Sequence, residues 1–243
     1  MLESKDYKDR FSDFVEAAAH DLHSPLRKLS VLIDKLLMSR EGQIDDRAKE
    51  YVGRIEHCIH EMRSLIDGLT ALAKAEAGTM NDQCELGAIA RETLGMMDEE
   101  IKSREALIEI DELPVVCGNL VQYKQLFRNL LENAVKFRRK DTPLKINIAA
   151  AVARDAEKKL HHLPAKKKYY RVEVSDNGIG FNQTYAEKIF EPFVRLHPKS
   201  RYEGNGLGLS ICRKIISAHN GIIYAEGDEK TGSRFILLLP ETP

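Results

Sequence analysis

The sequence predicts a multidomain α plus α/β chain, with a helical hairpin over residues 1–78 followed by a larger α/β domain over 79–243. Three observations predict it. A length of 243 residues allows one to two cores at roughly 150 residues per domain. Up to Ala73, apolar residues recur at steps of three and four, the helix period. Beyond the break AGTMNDQ (Ala77 to Gln83), which reads as a linker, helix-like and strand-like segments interleave, the pattern of a layered α/β domain.

Composition removes several function classes. Lys plus Arg (37) against Asp plus Glu (38) leaves a net charge of -1, without the basic excess that binds a nucleic-acid backbone. At 43% hydrophobic and 31% charged residues, the chain has a globular rather than a disordered composition. No apolar run approaches the roughly 18 residues of a membrane span, and the start MLESKDYKDR is too polar for a signal peptide. Cys58, Cys84, Cys117 and Cys212 form no C-x-x-C pair, so neither a zinc site nor a disulfide framework is expected, and a cytoplasmic location fits.

The first helix is expected from Phe11 to Met38, with Val15, Ala18, Leu22, Leu26, Leu29, Ile33 and Leu36 on its stripe. After SREGQID comes a second, with Ala48, Val52, Ile55, Ile59, Met62, Ile66, Leu69 and Ala73 alternating steps of four and three, the 3.5-residue repeat of helices packed side by side. The two form an antiparallel hairpin. Because a lone hairpin leaves one flank of its stripe open, a homodimeric four-helix bundle is expected. Downstream, helices are expected near Gly87 to Arg104, Asn119 to Phe137 and Leu207 to Ala218. Strands are expected at Leu107 to Ile110, Leu144 to Ala149, Tyr169 to Ser175, Ile222 to Ala225 and Arg234 to Leu239, the last two as a hairpin across GDEKTGS. The stretch ARDAEKKLHHLPAKKK reads as a solvated loop, and His161-His162 within it as solvated rather than metal-bound.

Two glycine-rich stretches could cradle phosphates with backbone N–H groups: DNGIG (Asp176 to Gly180) after a strand, and GNGLGLS (Gly204 to Ser210) before a helix. The Rossmann spacing is absent, and GDEKTGS lacks the Lys of a P-loop. On the helix from Asn119, Asn129, Asn133 and Lys136 fall at i, i+4 and i+7, a polar stripe beside the core face. Asn disfavours a helix interior, and its carbonyl is a hard ligand suited to Mg²⁺, with Lys to meet phosphate charge. On the first helix His20 lies about 200° from the apolar stripe and so should face solvent, beside Asp21 and the helix-bending Pro25.

HDLHSPLRKL (from His20), NLLENAVKF (from Asn129), DNGIGF (from Asp176), IFEPFVRLH (from Ile189), GNGLGLSIC (from Gly204) and TGSRFILLLP (from Thr231) resemble, in order, the H, N, G1, F, G2 and G3 boxes of sensor histidine kinases, especially the bacterial phytochrome-like branch. The resemblance covers nearly the whole chain. It implies a dimerisation and phosphotransfer hairpin followed by a Bergerat-type α/β sandwich that binds ATP and Mg²⁺. Carried over residue by residue, it makes His20 the phosphoacceptor, Asp21 the carboxylate that orients it and takes its proton, and Ser24 the position that often handles water in dephosphorylation. Asn133, with Asn129 close by, would hold Mg²⁺. Lys136 would contact phosphate, Phe137 would flank the nucleotide, and Asp176 would accept from the adenine amino group. Gly178, Gly180, Gly204, Gly206 and Gly208 would supply backbone room, and Arg195 a γ-phosphate contact.

The implied function is ATP-dependent autophosphorylation on His20 and transfer to an Asp of a response-regulator receiver domain. A protein acting mainly as a response-regulator phosphatase, or an inactive dimeric scaffold, are the alternatives. ATP-hydrolysing relatives carry a water-activating Glu where this sequence has Asn129, which favours transfer over hydrolysis. His23 departs from the usual Arg or Lys, and Asn205 from the usual Thr or Ser. No sensor domain precedes Phe11, so the input domain is expected elsewhere in a longer protein, which membrane attachment would also suit.

Overall fold

The alternating three-four repeat folds as two antiparallel helices. Helix α1 is described over 26–34, with residues 19, 22 and 23 also helical, and α2 spans Asp46–Lys74. The computed structural model describes residues 19, 22–23, 26–34, 46–74, 81–97, 106–198, 202 and 204–242. By its contacts the chain divides into two units, Met1–Lys74 and Ala75–Pro243. The helix direction in the first unit follows from two cross-links. His23 Nε2 lies 3.2 Å from Asp67 Oδ1, and Arg63 Nη2 donates to Ser30 Oγ at 3.2 Å, so α2 runs back as α1 advances.

The expected single stripe separates into two sets. Leu26, Ile33, Val52 and Ile59 are buried together with Ile66 against them, and Ala19 is buried as well. Leu22, Leu29, Ile55, Met62 and Leu69 stay between 41% and 53% exposed. Each set advances by sevens along its helix. A 3.5-residue repeat presents two adjacent rows, and within one hairpin the partner helix can cover only one of them.

In the second unit the elements are β1 (Asp82–Glu85), α3 (Leu86–Met96), β2 (Leu107–Ile110), β3 (Val115–Gly118), α4 (Leu120–Lys136), β4 (Lys145–Val152), α5 (Asp155–Leu160), β5 (Tyr169–Asp176), α6 (Gly208–Ala218), β6 (Ile222–Asp228) and β7 (Gly232–Pro240). Two 3₁₀ turns, Gln183–Tyr185 and Lys188–Phe190, lie between β5 and α6. Five strands form a sheet in the order β2-β4-β5-β7-β6, parallel between β2 and β4 and antiparallel elsewhere, while β1 pairs antiparallel with β3. Register aligns Ile148 with Val174 and Val174 with Phe235, and it aligns Val172 with Leu237 and Leu237 with Ile223. All are buried, so one face of the sheet is apolar. Helix α4 packs between α3 and α6 and buries Tyr123, Leu126, Phe127, Leu130, Leu131, Ala134 and Val135 at helical spacing. Each Leu, Val and Phe among them, taken out of water, contributes about 1.5–3 kcal/mol.

Three expectations need correction. Strand β1 begins inside the segment read as linker, and β3 was not anticipated; both are four-residue strands, too short for a readable alternation. The helix expected to reach Arg104 is described only to Met96, and 98–105 lie outside the described residues. The stretch read as a solvated loop contains α5, which lies against the sheet's other face. Glu157 Oε1 accepts from Tyr224 Oη at 2.7 Å and Arg171 Nε at 3.1 Å, and Lys158 is buried, donating to Ala165 O at 2.8 Å. Charge content had suggested solvent, but here the charges are paired, and Leu163 of the same stretch packs against the buried Ala153, Tyr169 and Leu238.

The N-terminus of α4 is held from two sides. Asn119 caps it, accepting from Gln122 N–H at 3.1 Å. The Asn119 N–H in turn donates to His219 Nε2 at 3.0 Å, while His219 Nδ1 bonds Ile215 O at 2.8 Å, so the neutral ring carries its proton on Nδ1. Burial lowers the His219 pKa below its usual 6.5, outweighing the bond to Ile215 O. The unfolded chain therefore takes up a proton that the folded one refuses. We predict that the His219 contribution to thermal stability, read as the difference in melting between wild type and a His219 variant, is fully present above about pH 6.5 and falls as the pH drops below it. His219→Gln should lack that component of the pH dependence.

Candidate active site

The last residue of β5, Asp176, stands opposite Ile146 and Ser233 in the sheet. Its Oδ1 accepts the Gly178 N–H at 2.8 Å, and Ser233 bonds it through both backbone and side chain. Those bonds favour the ionised form, yet loss of water outweighs them and raises the carboxyl from 3.8 to about 6.

The G1 turn that follows closes against the end of α4. The Ile179 N–H donates to Phe137 O at 2.9 Å, and a Cβ on Gly178 would lie 2.6 Å from that same oxygen. Gly180 sits at φ +63°, where a Cβ would run into the Asp228 carbonyl, so glycine is required on both counts. Arg139 clamps the turn, with Nε donating to Gly178 O at 3.0 Å and Nη2 to Glu229 O at 2.7 Å. Asn177 accepts from Lys145 N–H at 2.8 Å and donates to Pro143 O at 2.9 Å, tying the turn to the start of β4.

Helix α4 supplies the adjoining wall. Asn133 and Lys136 are partly exposed near its C-terminus. Lys136 Nζ lies 4.6 Å from the centre of the Phe137 ring, and a Cβ on Gly204 would come within 2.6 Å of it. The Phe137 ring lies 5.0 Å from Tyr202 and 6.0 Å from His197. The Phe193 N–H donates to Gly206 O at 3.0 Å, joining the F and G2 boxes. Arg195 Nη2 donates to Tyr202 O at 2.6 Å, so its guanidinium is bound to the backbone of the segment between those boxes. Asn205 Oδ1 accepts from Leu207 N–H at 3.1 Å at the entry to α6, which begins at Gly208.

Asn129 departs from expectation. Read as part of an open stripe with Asn133 and Lys136, it is 9% exposed, and its Nδ2 donates to Gly208 O at 3.2 Å. The start of α6 covers the N-terminal end of the stripe, so this amide joins two helices while the other two side chains stay accessible. The predicted residues His20, Asp21 and Ser24 lie outside the described residues. Sequence reading did not assign Ser233, Arg139, His197 or Tyr202. The TGSRF motif marks Ser233, but only the β5–β7 register sets it against Asp176.

A volume of about 640 Å³ at this end of the sheet is lined by Asp176, Asn177 and Ser233 together with Glu109, Lys145, Asn147, Ser175, Glu226 and Arg234. Strand alternation puts the side chains of Glu109, Asn147, Ser175, Glu226 and Arg234 on the face opposite the Asp176 row.

The raised pKa of Asp176 has a sign for stability. The folded carboxyl holds its proton up to about pH 6 and the unfolded one only to 3.8, so ionisation costs folding free energy that is fully felt above about pH 6. Asp176→Asn is predicted to melt at or above the wild-type temperature at pH 7–8, and to lose that advantage toward pH 4.

Residues 118–243 match the family of histidine kinase-, DNA gyrase B- and HSP90-like ATPases, and residues 12–78 match the His Kinase A (phospho-acceptor) domain. Cyanobacterial phytochrome A of Nostoc sp. is 33% identical over 228 residues, covering 93% of this chain. The chain spans only 28% of that relative's length. Among solved structures, full-length ShkA in complex with AMPPNP is similar with a TM-score of 0.69 at 19% identity, covering 95% of this chain and 46% of that one. Histidine kinase ThkA in complex with response regulator TrrA has a TM-score of 0.61 at 22% identity, covering 100% of this chain and 66% of that one. Likeness at those identities shows the fold. With both family matches in the order of the six sequence boxes, the chain belongs to the histidine kinase-, DNA gyrase B- and HSP90-like ATPase family, as the catalytic core of a sensor histidine kinase of the phytochrome-like branch.

Proposed function

We propose that the chain phosphorylates itself on His20 from ATP and passes the phosphoryl group to an Asp of a response-regulator receiver domain. The observation that carries this reading is Asn129. Where relatives that hydrolyse ATP hold a Glu to activate water, this chain has an amide bonded to Gly208 O, which cannot act as that base. The ThkA complex with TrrA supports the receiver partner.

The residues fit a metal-bound nucleotide. Asp176 is a buried acceptor of the kind that takes the adenine amino group, and Phe137 offers a ring to flank it. The room left by the missing Cβ of Gly204, against Lys136 Nζ, suits a phosphate chain. Asn133 would hold Mg²⁺ by its amide oxygen, the ion neutralising phosphate charge. Gly178, Gly180, Gly206 and Gly208 would bring backbone close to the ligand, and Arg195, on exchanging its Tyr202 carbonyl for phosphate, would add a positive charge. Phosphoryl transfer depends on positioning and charge neutralisation more than on covalent help. A neutral imidazole nitrogen of His20 would attack the γ-phosphorus in line, the bond to the departing ADP oxygen would break, and Asp21 would take the imidazole proton. Separate domains at 1–78 and 79–243 would divide the work, the first carrying His20 and the second the nucleotide. The open row of Leu22, Leu29, Ile55, Met62 and Leu69 suits a second copy of the hairpin, completing a four-helix bundle.

Incubation with labelled ATP and Mg²⁺ should give acid-labile, base-stable label in the wild type and none in His20→Ala, with Asn133→Ala reduced at least ten-fold. Equal labelling of His20→Ala would sink the reading. Met62→Glu should convert a dimer into a monomer by light scattering. Wild-type ATP affinity should weaken as the pH falls through about 6 and Asp176 protonates, while Arg139→Ala should raise the Kd for ATP about three- to ten-fold by releasing the G1 turn.

A further inference from the structure

The ring expected to flank the nucleotide is held from several sides. Phe137 closes α4, its N–H donating to Asn133 O at 2.9 Å and its carbonyl accepting from Ile179 N–H at 2.9 Å. Those bonds fix its backbone but leave the ring its side-chain torsions. Three groups take up that freedom. Lys136 Nζ lies 4.6 Å from the ring centre, Tyr202 stands 5.0 Å away with the planes at 51°, and His197 stands 6.0 Å away at 45°. His197 and Tyr202 are themselves 5.4 Å apart at 53°, so the three rings form a cup of mutually tilted faces rather than a stack. At these separations aromatic pairs attract beyond the area they bury. All three residues are partly exposed, so the cup borders solvent and is not sealed in the core.

Tyr202 is in turn placed by its own backbone. Its N–H donates to Pro198 O at 3.3 Å, and its carbonyl accepts from Arg195 Nη2 at 2.6 Å. A ring carried on a backbone bonded on both sides can act as a stop for another ring. We propose that Tyr202, backed by His197, is a positioning residue of the nucleotide site, holding the Phe137 ring in the orientation that flanks the adenine. This rests on the reading of Phe137 as the flanking ring. Ordering a side chain on binding costs affinity, and a ring already ordered by its neighbours avoids that cost. The action lies at the base end of the ligand, so nucleotides that differ only in their phosphates should feel it alike. A competing route runs through the Tyr202 carbonyl to Arg195, the expected γ-phosphate contact, and only a triphosphate would feel that one.

The test measures the Kd of AMPPNP and of ADP, each with Mg²⁺, by calorimetry on the full chain at about pH 7.5, where Asp176 is ionised. The variants are Tyr202→Ala, Tyr202→Phe, Phe137→Ala and the double Tyr202→Ala with Phe137→Ala. Tyr202→Ala should weaken both ligands about five-fold, the size of one aromatic pair. Tyr202→Phe, which keeps the ring, should bring both back to within about two-fold of wild type. Phe137→Ala should weaken both about ten-fold, and adding Tyr202→Ala to it should cost nothing further, because Tyr202 acts through that ring. Melting curves check folding, and Tyr202→Leu, which keeps apolar bulk without a ring, replaces Tyr202→Ala in the same cycle if that variant unfolds at the assay temperature. Additive losses would overturn the proposal, and so would a loss confined to AMPPNP, which places the action at Arg195. Phe137→Ala binding like wild type would reject the flanking role of Phe137 and the proposal with it. A weakened Phe137→Ala beside an unchanged Tyr202→Ala would reject the proposal alone.

Discussion

A carboxyl group held out of water at the end of β5 is the constraint around which the nucleotide domain is arranged. Asp176 accepts from Gly178 and Ser233, and those bonds hold its ionisation near pH 6 rather than higher. Each donor imposes a further demand. Gly178 must approach Phe137 O too closely for any side chain, Gly180 must take a positive φ beneath Asp228, and Ser233 must sit in register opposite Asp176. Arg139 fastens the resulting turn by three carbonyls, those of Asn177, Gly178 and Glu229. A residue that recognises by accepting a hydrogen bond in a dry site costs stability, and the surrounding architecture offsets that cost.

Helix α4 transmits this order. One face is core, and its ends and flanking stripe are each fixed by a different partner: His219 and Asn119 at the start, Gly208 at Asn129, and the G1 turn at Phe137. The accessible polar groups, Asn133 and Lys136, therefore project from a beam whose position is set at three points along its length. Preorganisation of this kind suits a reaction governed by charge and geometry. The N-terminal hairpin works by another rule. Its inner row holds two helices together, and its outer row, repeating by sevens, stays exposed because one hairpin cannot cover it.

The segment between β4 and β5 shows how a charged sequence can mislead. Glu157 and Arg171 would each prefer water alone, but together with Tyr224 they form a bonded group that seats α5 on the sheet, while Lys158 donates to Ala165 O and pairs with Asp155. Glu157 Oε2 is left buried without a hydrogen-bond partner there. Composition counts charges and not pairs, so it assigned this stretch to solvent.

Periodicity and motif order by themselves determined the two-part organisation, the hairpin, α4 and α6, the five strands of the main sheet and the glycine turns that carry the phosphate reading. These are local properties: a heptad, an alternation or a DNGIG turn is set by neighbours within a few residues. Tertiary structure alone decided which heptad row is inner, that Asn129 bonds Gly208 rather than facing open solvent, that Ser233 and Arg139 serve Asp176, and that His23 meets Asp67. Each of those joins residues far apart in the chain. Register, crossing and close approach depend on how whole elements pack, and no window of sequence contains that information.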